Sequence, residues 1–542
     1  MERRAFIAVV ISIAILVFYQ EVVLKRLYPP PPAALDVPGE PPSAAPRAET
    51  VPPPAIEAET AAPAPLPIVN DHPIEIDTDL YHATITATGA RLTSFKLKRQ
   101  RTSLAPDSPP LEMVRVTSGE YPLAVQLRGA KESLNDAALT YHADRDAVAL
   151  HDGGEGTLTL TTTSADTTIT KTFSFRDDSY LVGLDITVDG GATFSEIGVA
   201  WHKGIEAAAL PGVEQLFDQI SLLQDKKLLH EKFDALAAGK VIEKNIYWAG
   251  YDGRYFMAMM VPGDPAPARA WLKQRDHSVE TMVLMPRAEA RVATHMDVYV
   301  GPKDYNALKE VGHELDRAVD LGWFWFIAWP LLLAIKFSHR ITGNYGIDII
   351  LLTVTIKILF IPLTQRSFKS MKAMQKLQPQ MAKIRERYKD TPEEMNKEIM
   401  ELYRRHKVNP LGGCLPMVLQ MPVFLGLYAA LSHAVELRHA PFFLWITDLS
   451  APDRLGSLAI PFVSPPGIPV LTLLMGGSMF LQQWMTPSTG DPQQQRVMMI
   501  MPLMFTFMFV SFPAGLTLYW LVNNLLTIGQ QYVINRPERR SE

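Results

Sequence analysis

From Gly322 onward the chain consists mostly of apolar runs separated by polar segments. Runs that predict membrane-spanning helices cover residues 345–364, 413–433, 467–485, 497–512 and 515–534. A helix needs about 20 mostly apolar residues to cross the hydrocarbon core of a bilayer. The sequence therefore predicts a multi-span α-helical membrane protein, with a five-helix core between residues 344 and 535.

The N-terminus offers one more span. Arg3 and Arg4 precede an apolar run from Ala5 to Tyr19, and no small-residue cleavage site directly follows this run. A signal peptide has the same charge order, but its apolar core is usually shorter and ends in such a site. We therefore predict a retained transmembrane anchor at residues 1–28, which brings the total to six spans.

The segment between the anchor and the helical core has a different character. Residues 29–67 are rich in Pro and Ala, which predicts an extended, disordered linker. Residues 68–320 contain runs such as "GTLTLTTTSADTTITKTFSF", in which apolar and polar residues alternate. This alternation is typical of half-buried antiparallel strands. We predict a soluble β domain, interrupted by a helix over 214–233 and closed by a helix over 304–319.

Residues 321–343 connect this domain to the helical core. They begin with the aromatic cluster "GWFWFIAW" and end with Lys336, His339 and Arg340. Aromatic and cationic side chains favour the membrane–water interface. Because the run is only marginally long enough to span, we predict an amphipathic helix that lies in the interface.

A basic segment at 366–408 sets the predicted topology. It holds twelve Lys and Arg residues, whereas the 434–466 loop has only Arg438 and Arg454. Since basic loops stay in the cytoplasm, this segment, the short tail at 536–542 and the N-terminus are predicted to be cytoplasmic, and residues 29–320 external. Apolar stripes predict a two-helix hairpin over 366–408. Two interpretations of it are compatible: a solvated pair that fixes topology, and a docking arm for the ribosome or a nascent chain.

The most unusual residue of the predicted core is Lys357, in the middle of the apolar run Ile347–Leu363. An ammonium group in hydrocarbon costs about 3 kcal/mol on insertion scales. No Asp or Glu lies deep in any predicted span, and Asp348 is placed near the outer end. A lysine without an acidic partner needs water or a transient anion. We therefore predict a hydrated pocket with a positive centre inside the membrane.

Other polar side chains recur at helical spacing in several spans. Interhelical hydrogen bonding is the ordinary role of such residues, but their stripes also predict a polar groove for substrate. Thr364 shares the face of Lys357, and the stripe of the last span continues through Thr527 and Gln531, widened by Gln530. The residues assigned to the predicted groove are Lys357, Thr353, Gln420, Ser478, Gln482, Thr517, Trp520 and Asn524.

Other kinds of site are disfavoured by the composition. The single cysteine, Cys414, precludes an intramolecular disulfide and a thiol metal cluster. The histidines between residues 68 and 300 lack metal-ligand spacing, and the net charge of −5 gives no overall basic field for nucleic acid. We predict no catalytic residues, no metal, no cofactor and no specific nucleic-acid partner.

Residues from about 320 to 535 include the segments "NPLGGCLPMVLQMPVFLGLYAAL", "VELRHAPFFLWITDLSAPD", "DPQQQRVMMIMPLMFTFMF" and "FPAGLTLYWLVNNLLTIGQQ". These segments resemble the YidC family of membrane protein insertases. The segment "FSFRDDSYLV" further resembles the large external domain of Gram-negative members. The resemblance implies a periplasmic β-supersandwich domain, five core helices, a cytoplasmic hairpin and a groove open to cytoplasm and lipid.

The same resemblance implies a function. Family members insert and fold integral membrane proteins in the inner membrane, alone or with the Sec translocon and without ATP. The expected partners are therefore nascent membrane proteins, the Sec translocon and the lipid bilayer. The family's groove usually carries an arginine in the second span, and alignment on the following "PLT" places Lys357 there. Lysine keeps the charge but lacks the planar two-pronged guanidinium.

Two other functions fit some of these features. A secondary transporter would use Lys357 as an anion site, but it predicts internal repeats and paired broken helices, and the sequence shows no clear repeat. The β domain alone suggests a membrane-tethered sugar-binding or mutarotase-like enzyme. Deletion of residues 70–300 would separate these classes, because an insertase should largely survive it and a tethered enzyme should not.

Overall fold

The structure is a computed structural model of the 542-residue chain. It describes residues 73–105, 107–116, 119–191, 193–204, 218–275, 278–408, 415–460, 463, 465–485 and 492–535. The predicted anchor at 1–28, the linker at 29–67 and the tail at 536–542 lie outside the described residues.

The first part of the described chain is a β domain. Its strands are β1 (Pro73–Asp77), β2 (Tyr81–Thr86), β3 (Arg91–Arg101), β4 (Pro110–Glu112), β5 (Ala124–Gly129), β6 (Ser133–Asn135), β7 (His142–Ala143), β8 (Ala147–Ala149), β9 (Glu155–Ser164), β10 (Thr167–Arg176), β11 (Leu181–Asp189), β12 (Phe194–Gly204), β13 (Gln219–Gln224), β14 (Lys227–Glu231), β15 (Lys240–Ile242), β16 (Ile246–Asp252), β17 (Phe256–Pro262), β18 (Arg269–Arg275), β19 (Ser278–Pro286) and β20 (Arg291–Pro302).

These strands form three sheets. The sheets have five strands in the order β4-β3-β2-β1-β8, nine in the order β14-β13-β16-β17-β20-β11-β10-β9-β7, and six in the order β15-β18-β19-β12-β5-β6. Among the described pairs, β1–β8 is parallel and the others are antiparallel. Short 3-10 helices at Asp136–Ala138 and Phe233–Leu236 interrupt the strands.

Alternation of buried and half-buried residues along β10 shows why these strands pack. Ile169, Phe173 and Phe175 face inward and are almost completely buried, while the threonines between them lie at the other face. Burial of one such side chain contributes about 1.5–3 kcal/mol. The inward faces of the sheets share one large apolar core, and the predicted β domain is confirmed.

The predicted helix over 214–233 is wrong where the structure describes it. β13 and β14 form an antiparallel hairpin there, joined by Asp225 and Lys226, both of which have positive φ. Leu222 faces the main core and Leu223 faces a second apolar cluster, so β13 is buried on both faces. A strand buried on both faces lacks alternation, and the turn lacks the glycine that usually marks such hairpins.

His202 on β12 is buried beside charged groups. Its Nδ1 lies 3.6 Å from Oε2 of Glu120, and it is paired across the sheet with Glu280. Arg275 lies 3.6 Å from Glu120 on the same side. Burial lowers the pKa of His202 to about 4, although the charge of Glu120 opposes this change.

The β domain is therefore expected to lose stability as the pH falls from about 6.5 towards 4. In this window the unfolded imidazole binds a proton that the folded one excludes, so the unfolded state is favoured by up to about 3 kcal/mol. Hydrogen exchange of the β12 and β19 amides at several pH values would measure this. His202→Gln should flatten the dependence, and an unchanged slope in that variant would contradict the assignment.

The second part of the described chain is helical. Its helices are α1 (Tyr305–Val311), α2 (Trp325–Thr342), α3 (Tyr345–Arg387), α4 (Pro392–Arg405), α5 (Leu415–His433), α6 (Val470–Met485), α7 (Pro492–Phe509) and α8 (Ala514–Asn535). A 3-10 turn at Leu315–Ala318 follows α1, so the predicted helix over 304–319 is split in two. Another 3-10 turn, Val435–Leu437, follows α5.

The predicted second span and the first helix of the predicted hairpin form one continuous helix, α3. It runs for 43 residues and contains Pro362 and Pro379 in its interior. Among the described helices, α3 alone is both long and apolar enough to cross a membrane; α7 contains a shorter apolar stretch, Met499–Phe509. Beyond the apolar part, Met374 and Leu377 of α3 pack against Leu402 of α4.

Polar contacts join the β domain to the helices. Nε of Arg254 donates to the carbonyl oxygen of Ser432, near the end of α5, at 2.9 Å. Nζ of Lys336 on α2 lies 2.9 Å from Oδ2 of Asp304 and 2.5 Å from Oε1 of Glu436. These contacts place α2 between the end of the β domain and the turn that follows α5.

Candidate functional site

Lys357 lies on α3 and is half-buried against α8. Its Nζ donates a hydrogen bond of 2.6 Å to Oγ1 of Thr527. That hydroxyl in turn donates to the carbonyl oxygen of Asn523, also at 2.6 Å. The hydroxyl proton is therefore used within α8, and the lone pairs of the oxygen face the ammonium group.

Two further contacts extend this polar seam between helices. Nε2 of Gln530 on α8 donates to Oγ1 of Thr364 on α3 at 2.8 Å. Nδ2 of Asn524 donates to Oγ of Ser478 on α6 at 3.0 Å. We call these contacts and the Lys357–Thr527 hydrogen bond the polar ladder. Its groups are hydroxyls and amides, apart from the single ammonium.

The other predicted groove residues occupy different places. Gln420 on α5 donates to the hydroxyl of Tyr519, which adds a contact between α5 and α8. Thr353 and Thr517 are buried; Thr353 donates to the carbonyl oxygen of Ile349 within α3, and Thr517 donates to that of Pro513, the residue before α8. In both residues the hydroxyl makes the ordinary hydrogen bond of a threonine in a helix, to the backbone carbonyl oxygen four residues earlier. Gln482 is half-buried on α6.

Trp520 belongs to an aromatic cluster beside the ladder. Its ring lies 4.8 Å from that of Phe424 in an edge-on arrangement and 5.3 Å from that of Phe509. Phe505 is stacked on it at 6.0 Å. Trp520 therefore borders the polar seam with an apolar wall contributed by α5, α7 and α8.

Asp348, the acidic residue of α3 that precedes Lys357 in the sequence, is engaged elsewhere. It is completely buried, and its Oδ1 accepts a 2.7 Å hydrogen bond from Thr342. Its Oδ2 lies 2.9 Å from Nδ1 of His339. Thus Asp348 ties α2 to the first turn of α3, and the described hydrogen-bond partner of Lys357 is the neutral Thr527.

Thr527, Gln530, Thr364 and Tyr519 complete the site, although they were not assigned to the predicted groove. Thr527 and Gln530 belong to the polar stripe of the last span, and Thr364 shares the face of Lys357. The helical spacing of Thr527, Gln530 and Thr364 in the sequence could have placed them in the predicted groove. The partner of Gln420 could not be found in this way, because Tyr519 lies next to Trp520 and outside the regular stripe.

Comparison with known proteins identifies the family. The family model described as 60Kd inner membrane protein matches residues 337–541, and the one described as YidC periplasmic domain matches residues 73–334. A membrane protein insertase YidC of Syntrophus aciditrophicus is 39% identical over 562 residues, which cover 99% of this chain and 100% of that protein. The chain belongs to the YidC family.

A second YidC sequence agrees with this assignment. The membrane protein insertase YidC of Pelobacter propionicus is 40% identical over 550 residues, 99% of each chain. A crystal structure of an active YidC insertase with its first transmembrane domain resolved is 16% identical and covers 86% of this chain and 93% of its own, with a TM-score of 0.38. The family assignment rests on the sequence matches.

YidC membership confirms the predicted function at the level of the family. The chain is a membrane protein insertase of the inner membrane and not an enzyme. Its β domain is the YidC periplasmic domain, and its helices form the insertase region. The transporter and the tethered enzyme are therefore set aside.

Proposed function

We propose that this insertase receives a polar, often acidic, segment of a nascent membrane protein beside Lys357. The observation that carries the proposal is the hydrogen bond from Lys357 to a neutral hydroxyl. A carboxylate brings a full negative charge to the ammonium group, whereas the Thr527 hydroxyl offers only a dipole, so the ion pair is the stronger contact. A client carboxylate would therefore displace Thr527 from the ammonium group, while the client's apolar helix moves into lipid along the wall that contains Trp520.

The free energy needed to break the hydrogen bonds of the polar ladder is small compared with the attraction between Lys357 and a client carboxylate. Interhelical hydrogen bonds in membranes contribute about 0.6 kcal/mol on average, so three of them amount to about 2 kcal/mol. Two opposite charges 4 Å apart attract by about 4 kcal/mol at an effective dielectric constant of 20. This difference supports a groove that is closed at rest by the ladder and opened by an acidic client.

We also propose the predicted topology of six spans, with both termini in the cytoplasm and residues 29–320 in the periplasm. The basic charge of 366–408 and the apolar length of α3 support it. In this arrangement α3 continues from the membrane into a cytoplasmic hairpin with α4. The basic surface of this hairpin suits a ribosome, and cooperation with the Sec translocon belongs to the same proposal.

Photocrosslinking tests the proposed client site. A photoreactive amino acid at position 357 or 520 should crosslink to a stalled nascent membrane protein in inner-membrane vesicles. The same probe at Met400, which is exposed on α4, serves as a control for the hairpin. Crosslinks from Met400 alone would place the client on the hairpin and contradict a site beside Lys357.

Thr527→Val is expected to strengthen the binding of an acidic client. Valine keeps the shape of threonine but removes the acceptor that stabilises Lys357 in the resting state. With about 0.6 kcal/mol for that hydrogen bond, apparent affinity should rise about threefold. Crosslink yield from position 520, measured against client concentration, would show the change.

Thr355→Val is the matched control for this substitution. Thr355 is exposed on α3, and its hydroxyl donates to the carbonyl oxygen of Leu351 in the same helix. It should leave client affinity unchanged. If Thr527→Val instead weakened crosslinking, Thr527 would be needed to bind the client and not only to hold Lys357 at rest.

A further inference from the structure

The loop between α5 and α6 carries an apolar tip that the helical core does not cover. Phe443 is 54% exposed and Leu444 is 88% exposed. The segment 440–446, "APFFLWI", contains no charged residue. An exposed leucine by itself is ordinary in proteins, so the conformation and position of this tip have to decide what it contacts.

The backbone of the tip is held in an unfavourable conformation. Leu444 has a φ of +59°, in the left-handed region that glycine and asparagine adopt more readily than leucine. The turn is fixed by a 2.9 Å hydrogen bond from the amide of Phe442 to the carbonyl oxygen of Ile446. Strain of this kind persists where the surroundings require it, yet among the described residues nothing buries the Leu444 side chain.

The tip lies at the level where α3 begins. The ring of Phe442 packs against Gly346, in the first turn of α3, and leaves no room for a Cβ there. Phe442 and Phe443 also contact each other, with ring centroids 4.6 Å apart. Because the apolar part of α3 follows directly after this turn, the tip is placed at the membrane surface.

The same loop faces the periplasmic side. Nη1 of Arg438 donates to the carbonyl oxygen of Arg101 at 2.8 Å, and its guanidinium lies 5.4 Å from the ring of Phe256. Both partners belong to the periplasmic domain. Trp323 and Trp325, which lead from this domain into α2, are 84% and 62% exposed. Exposed aromatic residues of this kind are typical of the membrane–water interface.

We propose that Phe443 and Leu444 form a wedge that inserts into the periplasmic leaflet of the inner membrane. The wedge presents two apolar side chains, and the segment around it offers no charged group for a protein partner. Lipid is therefore the partner that fits it. The proposal does not depend on the client site beside Lys357.

Site-directed fluorescence in the full-length protein tests this wedge. Cys414 is the only cysteine of the chain, so Cys414→Ser combined with Leu444→Cys gives one labelling site for an environment-sensitive dye. The protein is reconstituted into liposomes without any other protein. We expect nitroxide-labelled lipids to remove most of the dye fluorescence and aqueous iodide to leave it largely unchanged.

Two other labelling sites calibrate the measurement. Leu359, which is 73% exposed on α3, gives the lipid reference, and the exposed Lys131 of the periplasmic domain gives the aqueous reference. Quenching at position 444 by iodide and not by nitroxide lipids would overturn the proposal. Protection from both quenchers would also overturn it, because the tip would then be buried in protein. Loss of iodide quenching only after addition of Sec translocon would assign the tip to protein docking instead.

Discussion

Lys357→Glu is expected to abolish insertion of a client whose translocated segment carries acidic residues. The substitution turns an attraction of about 4 kcal/mol at 4 Å into a repulsion of similar size, which corresponds to more than a thousandfold loss of binding. A carboxylate at this depth also brings its own desolvation cost. Protease protection of an acidic client synthesised in the presence of proteoliposomes would measure insertion.

Companion substitutions at the same position separate charge from shape. Lys357→Arg should keep most of the insertion activity if a point charge is sufficient, and the activity of Lys357→Met should lie between those of the arginine and glutamate variants.

Lys372→Glu is the control for these variants. It makes the same charge change on the part of α3 that follows the apolar run, where Nζ of Lys372 lies 3.5 Å from the carbonyl oxygen of Ile534. It should leave insertion nearly intact. Equal insertion of acidic clients by Lys357→Glu and by the wild type would refute the electrostatic mechanism.

Local periodicity predicted much of the helical region and failed where tertiary contacts decide. The helices α5, α6, α7 and α8 begin and end within a few residues of the predicted runs. The apolar stripes of residues 366–408 also predicted the face of α3 that packs on α4. By contrast, the boundary predicted after residue 364 does not exist, because α3 continues through polar residues as one helix. A change from apolar to polar composition marks a change of solvent and need not mark a helix end.

The candidate site shows the same limit. An unpaired charge in an apolar run singled out Lys357, and helical spacing placed Thr353 and Thr364 near its face. Only three-dimensional packing shows that Thr364 contacts α8, whereas Thr353 bonds within its own helix. Spacing gives the face of a helix, but it does not give the neighbour that the face meets.

A second buried lysine illustrates this point in the periplasmic domain. Lys171 occupies an inward position of β10 and is completely buried. Its Nζ donates to the carbonyl oxygens of Gly89 and Leu123, each at 2.8 Å, and lies 2.6 Å from Oδ2 of Asp136. Strand alternation predicts an apolar residue there, so the sequence pattern gave no sign of this buried ion pair.

Lys171→Met is therefore expected to destabilise the periplasmic domain by about 3–5 kcal/mol, since removal of one partner of a buried pair leaves the other charge uncompensated. Asp136 would keep the hydrogen bonds from the Val125 amide and the Tyr141 hydroxyl, each at 2.7 Å, but would lose its counter-charge. Hydrogen exchange of the β10 and β11 amides in the full-length protein would report the loss.

Lys98→Met provides the matched control, because Nζ of Lys98 lies 2.8 Å from Oδ1 of Asp77 and both side chains are about a third or more exposed. An exposed pair contributes about 0–1 kcal/mol, so this variant should change little. The double variant Lys171→Met with Asp136→Asn should recover much of the lost stability, since asparagine keeps the shape of aspartate and the double variant has no buried charge. If Lys171→Met cost no more stability than Lys98→Met, the buried ion pair would not stabilise the periplasmic domain. If the double variant were no more stable than Lys171→Met alone, the loss would come from packing and from the orphaned carbonyl oxygens of Gly89 and Leu123, and not from the charge of Asp136.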